Sequence, residues 1–270
     1  MIKGHPRFVA GAKGDLFVME FMPEIRAAGT VLFFPAFGEE MNRARKMVSR
    51  QAKTMALSGY HVIIPDYYGT GDSAGEFLGA RWKTWKADME VIVSECSVDP
   101  MMPFWFWGLR LGALMTMDRG LQIAMRPEGI IAWSPVLAGK QYVNQLLRMR
   151  VMANMLAGSK IPETISDLRA LLEFGQAVEI GGYELGSALN EEIENLAFED
   201  LLEDNSGEIP IHWFELISEP GAQPSPAITR IAEKYGRQIE FHTAVGPDFW
   251  ATAEITMSEE LIANTIDILR

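Results

Sequence analysis

Two glycines four residues apart punctuate Trp107-Gly108-Leu109-Arg110-Leu111-Gly112-Ala113, between an apolar run at 103–107 and a helical pattern over 109–125. A strand, a Gly-x-x-x-Gly turn and a helix in that order make a nucleophile elbow. The glycines let the chain turn sharply, and the central residue stands at the top of a sheet. Acyl transfer needs a hydroxyl, thiol or carboxylate at that apex, but here it is Arg110, whose guanidinium stays protonated and cannot attack an acyl carbon. A cation at a helix N-terminus is disfavoured by a few tenths to about 1 kcal/mol, and desolvation adds to the cost. An anion is therefore expected beside Arg110: Glu39, Glu40, Asp66, Asp248, or the carboxylate or phosphate of a ligand.

Other segments spell parts of the same chemistry. Gly71-Asp72-Ser73-Ala74-Gly75 has the form of a serine nucleophile motif, yet Asp66-Tyr67-Tyr68-Gly69-Thr70 separates it from the preceding strand at 61–65. Without a strand directly before its first glycine, Ser73 is expected to pack beneath the site rather than attack. Ser134, beside Pro135 at the end of the strand 129–133, is the other displaced candidate. A general-base histidine belongs in the loop after the last strand, which reads Gly246-Pro247-Asp248-Phe249-Trp250 and offers only Asp248. Of His5, His61, His212 and His242, only His242, inside the predicted strand 239–245, comes close. The stretch Pro35-Ala36-Phe37-Gly38-Glu39-Glu40-Met41-Asn42 occupies the place of an oxyanion loop. Its two acids suit the first turn of the next helix, and one of them could pair with Arg110. The expected ligand-binding set is Arg110, Leu111, Phe37, Glu39, Glu40 and Asp248, with Ser73, Ser134, Asp248, His242 and Arg110 as catalytic candidates. No metal site and no cofactor is expected, since no Gly-x-Gly-x-x-Gly, phosphate loop or metal-spaced histidine cluster occurs.

The elements that would position these residues alternate. Strand patterns at 7–10, 16–21, 30–34, 61–65, 103–107, 129–133, 211–217 and 239–245 are interleaved with helical patterns at 39–57, 81–96, 109–125, 227–235 and 257–269. Such alternation predicts a mostly parallel central sheet with helices on both faces, and the elbow context points to an α/β-hydrolase fold. Residues 138–208 read mostly as helix (143–156, 165–174, 189–202) with a small hairpin at 178–185, a helical cap inserted between late strands. The core is then 1–137 and 209–270. With 24 Lys plus Arg against 36 Asp plus Glu, the net charge of −12 argues against nucleic-acid binding. The lone Cys96 excludes a disulfide framework. No stretch is apolar for long enough to span a membrane, and no secretory leader is evident, so a cytoplasmic protein is expected.

Several of these segments, together with Trp133-Ser134-Pro135-Val136-Leu137-Ala138-Gly139-Lys140-Gln141 and Gly182-Tyr183-Glu184-Leu185, resemble one family from about residue 29 onward. The combination is similar to the exosortase A system-associated hydrolase 2 family. The resemblance implies an α/β-hydrolase fold and a link to exopolysaccharide biosynthesis, and it implies that the Gly-Leu-Arg-x-Gly elbow is the family's own form. Three functions fit: binding of a small anionic or acyl ligand with hydrolysis lost or altered; a serine hydrolase or acyltransferase with a displaced nucleophile; or a partner-binding component, the cap serving a homodimer or another protein.

Overall fold

In a computed structural model of the chain, residues 2–96, 98–118, 123–158, 163–205 and 209–270 are described. A hairpin of β1 (Gly4–Ala10) and β2 (Asp15–Phe21) leads into β3 (Gly29–Phe34), α1 (Glu39–Leu57), β4 (Tyr60–Pro65) and α2 (Trp82–Glu95). Then come β5 (Phe104–Leu109), the short α3 (Leu111–Met115) and β6 (Gly129–Trp133). The chain next leaves the sheet for α4 (Gly139–Leu156), α5 (Ile165–Glu173), β7 (Val178–Ile180), β8 (Tyr183–Leu185), α6 (Ser187–Glu194) and α7 (Phe198–Asn205). It returns with β9 (Ile211–Ile217), α8 (Pro226–Lys234), β10 (Ile239–Val245) and α9 (Glu259–Ile268).

Eight strands make one sheet in the order β1-β2-β4-β3-β5-β6-β9-β10. Only β2 runs against its neighbours, and every pairing from β4 to β10 is parallel. Parallel strands buried on both faces are uniformly apolar, as in β3 and β6, where every residue is buried. Side chains alternate across the sheet and feed two clusters. Val31, Phe33, Trp107, Trp133 and Phe214 pack under α1 and α9. Leu32, Phe34, Phe106, Ile130 and Trp213 face α2, and that cluster continues into α4–α7 through Tyr142, Leu147, Leu172 and Phe198.

Three predicted helices differ, and tertiary contacts account for each. The helix expected over 109–125 is only α3: Asp118 is held by the Trp82 indole N–H at 2.6 Å and Lys86 Nζ at 3.0 Å, drawing the chain off the helical path. Residues 119–122 of that expectation lie outside the described residues. The helix expected over 189–202 is two, α6 and α7, because residues 196–198 bond in extended form to Leu137 and Gly139. The helix expected from 143 begins at Gly139, where an added Cβ would lie 1.7 Å from the Ile193 carbonyl oxygen. A residue type that usually stops a helix starts this one, for want of space.

Candidate functional site at the strand-to-helix elbow

Sterics build the elbow. A Cβ on Gly108 would sit 2.5 Å from Ala113 Cα, and one on Gly112 would sit 2.1 Å from the Phe34 carbonyl oxygen. Glycine therefore lets α3 lie against β3 and β5. Between them Arg110 adopts φ 55 and ψ −118, a left-handed conformation that costs a non-glycine residue about 1–3 kcal/mol. Ser134, at the end of the adjacent β6, has φ 40. These are the two non-glycine residues with positive φ among the described residues, and they touch: the Arg110 amide donates to the Trp133 carbonyl at 3.0 Å, and Arg110 Nη1 donates to the Ser134 carbonyl at 2.9 Å.

The anion required beside Arg110 is Glu40. Arg110 Nε donates to Glu40 Oε1 at 3.3 Å, and the Tyr142 hydroxyl donates to Glu40 Oε2 at 2.8 Å. The guanidinium lies over the rings of Trp250 (5.1 Å) and Tyr142 (5.8 Å), a cation–π arrangement that favours its charge. Burial works against that charge, but Glu40 and Tyr142 outweigh it and push the Arg110 pKa up. Glu39, one residue earlier, serves α1 itself, accepting from Asn42 and Arg43. The two acids thus divide the two roles open to them.

A cavity of about 240 Å³ opens beside Arg110, walled by Tyr142, Gln141 and Gln145 of α4, Ser225, and Glu215 of β9. Burial pushes the Glu215 carboxyl up to about 7, against the Trp213 indole N–H and the Arg110 charge, which hold it down; Asp248 adds to the rise. Glu215 was not among the residues singled out from the sequence. Its one signal is a carboxylate interrupting the apolar run of a buried strand.

The remaining candidates lie elsewhere. The Ser73 hydroxyl accepts from the Phe17 amide at 2.8 Å and donates to the Asp66 carbonyl at 2.6 Å, tying the loop after β4 to β2. Asp66 is occupied by Arg45 and by the Asp72 amide, away from Arg110. Ser134 meets Arg110 through its main chain. Asp248 is exposed in the loop after β10, whose Trp250 reaches Arg110. His242 lies in mid-β10 with its ring stacked on Phe214, on the sheet face opposite Trp213 and Glu215. His61 bonds Glu20 and His5 is exposed on β1. Phe37 and Leu111 are buried in the hydrophobic cluster and do not line the cavity.

The site thus offers a fixed guanidinium, a proton-holding carboxyl and amide side chains around one cavity, with no hydroxyl or thiol at the apex of the elbow. Comparison with known proteins sets this in context. Est1E from Butyrivibrio proteoclasticus superposes with a TM-score of 0.64 at 12% identity, over 99% of this chain and 97% of that one. The thioesterase domain from the curacin biosynthetic pathway gives 0.59 at 15% identity over 99% of both chains. The lidless α/β serine hydrolase XC6422 from Xanthomonas campestris gives 0.54 at 14% identity, over 92% of this chain and 87% of that one. A search of curated proteins finds no match to this sequence. The family model described as serine aminopeptidase, S33 matches residues 25–174. That match spans more than half of the chain and includes the elbow, and the sheet around it has the same architecture: the chain belongs to the serine aminopeptidase S33 family of α/β-hydrolase-fold proteins.

Proposed function

We propose that this protein binds a small acyl ligand through the ligand's carbonyl group at Arg110, in a site where the serine machinery has been replaced. The observation that carries this reading is Arg110 itself, strained at the apex of the elbow and paired with Glu40. Glu40 already balances the guanidinium, and Asp248 adds negative potential. An uncharged carbonyl is therefore favoured over a free carboxylate or phosphate, since like charges at close range disfavour binding. Arg110 and, below pH about 7, the protonated Glu215 donate to that oxygen. Helices α4–α7 act as a cap, with Gln141, Tyr142 and Gln145 of α4 closing the cavity. Est1E, solved with ferulic acid bound, and the thioesterase domain from the curacin biosynthetic pathway share the fold, which supports the acyl class. The resemblance to the exosortase-associated family supports a role in exopolysaccharide biosynthesis. No helix among the described residues is long and apolar enough to cross a membrane.

The test is a panel of p-nitrophenyl acyl esters and acyl thioesters for turnover, with the matching acyl amides for binding by calorimetry. We expect no turnover above buffer, saturable amide binding, and at least tenfold weaker binding in Arg110→Met. Hydrolysis abolished by Ser73→Ala or Ser134→Ala would overturn the reading and make this a serine hydrolase with a displaced nucleophile.

A second role for the cap is favoured by Met149, Met152, Met155 and Leu156, exposed along the end of α4, with Phe174 exposed just after α5. Apolar side chains at helical spacing facing solvent suit association with a second copy of the chain. Sedimentation should give a dimer that Met152→Glu with Met155→Glu converts to monomer; a monomeric wild type would remove this role.

A further inference from the structure

The last two strands bring together three side chains with no part in the Arg110 cavity. In the parallel register of β9 and β10, Glu240 lies opposite His212 and His242 opposite Phe214. The period of two then puts His212, Glu240 and His242 on one face. Nδ1 of His212 lies 3.3 Å from Glu240 Oε2, and Nε2 of His242 lies 3.6 Å from Glu240 Oε1. One ligand atom from each of the three lies within 4.8 Å of the others. Neither contact is aligned as a hydrogen bond: both ring nitrogens are buried and without a hydrogen-bond partner. A buried polar atom left unpaired is costly and calls for an explanation.

We propose that His212, Glu240 and His242 bind one divalent transition-metal ion of the zinc class, through Nδ1 of His212, Nε2 of His242 and a Glu240 carboxylate oxygen, with a further position open to water. Bonds of about 2.0–2.2 Å in tetrahedral geometry separate neighbouring ligand atoms by roughly 3.3–3.6 Å. His212 and His242 approach different oxygens of Glu240, at 3.3 and 3.6 Å, and a turn of that exposed carboxylate would set one oxygen between both rings. Two imidazoles with one carboxylate suit zinc, cobalt or nickel rather than calcium or magnesium, which prefer oxygen ligands alone. The rings are held in place: His242 stacks on Phe214 with centroids 4.5 Å apart, and His212 lies 6.0 Å from the Trp105 ring. Burial pushes both imidazole pKa values down, which keeps the rings in the neutral form that coordinates metal. Glu240 is largely exposed and leaves a path for the ion to enter. Glu215 of the Arg110 cavity lies three residues along β9 from His212, roughly 10 Å away, and faces the other side of the sheet. Such an ion would clamp the edge strand β10 to β9.

The experiment is titration of untagged, chelator-stripped protein with Zn²⁺ by calorimetry and with Co²⁺ by visible absorbance. We expect one ion per chain, a cobalt d–d band and a raised Tm with zinc. Binding should weaken at least tenfold in Glu240→Ala and in His242→Gln, while His5→Ala leaves it unchanged. Glu240 is exposed, so its variant stays folded and the test does not depend on core substitutions. Absence of stoichiometric binding would overturn the proposal. So would affinity unmoved by Glu240→Ala and His242→Gln, or weakened as much by His5→Ala.

Discussion

Gly108 to Gly112 and Gly71 to Gly75 share one glycine spacing, and both follow a parallel strand of the same sheet. In the first, β5 runs straight into the turn, Gly108 admits the backbone of α3 and Gly112 that of β3, and Arg110 is lifted into a strained conformation beside a cavity. In the second, five residues intervene after β4, and the central Ser73 turns inward to bridge the Phe17 amide and the Asp66 carbonyl. The loop that spells a serine nucleophile is a structural tie, and the loop built like a nucleophile elbow presents a cation. What lies directly before the first glycine differs between the two loops, and so does the placement of the central side chain.

The largest effect that could break this comparison comes from Gly112→Ala. Its Cβ would meet backbone that cannot give way, and we expect a loss on the order of 3–5 kcal/mol in chemical denaturation. Gly71→Ala meets the Asp66 carboxylate and the Arg45 guanidinium, which are side chains, and should cost less even though φ is 53 there. Equal losses in the two variants would mean that the elbow is no more rigid than the serine loop.

The next effect separates the two regions by pH. Glu215 titrates near 7 in the folded chain against an ordinary value of 4.5, so the folded state holds its proton more tightly. The stability it contributes is present below pH about 4.5 and is lost as pH rises through 7, a fall of roughly 3 kcal/mol for a shift of that size. Asp88, pushed up to about 6 by burial and bonded to the Tyr68 amide near the serine loop, contributes in the same direction. Glu215→Gln should therefore flatten the upper part of the stability–pH curve and leave the part due to Asp88. A curve unchanged by Glu215→Gln would show that this carboxyl is already ionised at pH 6.

The smallest effect comes from Ser73→Ala. Two hydrogen bonds to main chain are lost, costing about 1–2 kcal/mol in denaturation midpoints, and ligand binding at Arg110 should not change. A tenfold change in binding would join the two regions into one site.

Much of the fold was legible in the residues. Continuous apolar runs gave β3 and β6 because parallel strands are buried on both faces. The acidic first turn and the four-residue apolar spacing of α1 gave its bounds at Glu39 and Leu57. Helices that end on a long-range contact were less legible: α3 stops where Asp118 meets α2, and the break between α6 and α7 is set by bonds to residues near 137. The candidate site divides in the same way. Arg110 and its need for an anion could be read from chemistry and local context. Glu215 could not, because its importance arises only when β9 lies two strands away from β5, with β6 between them.

The sequence by itself determined the alternation of strands and helices, the elbow with a cation at its apex, and the lack of a histidine after the last strand. All of these depend on neighbours within a few residues or on composition. The tertiary structure decided which acid pairs with Arg110, which way Ser73 turns, and how His212, Glu240 and His242 come together. Arg110 and Glu40 are 70 positions apart in the chain, and the parallel register of β9 and β10 sets Glu240 opposite His212. A single sequence carries no local trace of that register, because it is fixed by the packing of both sheet faces at once.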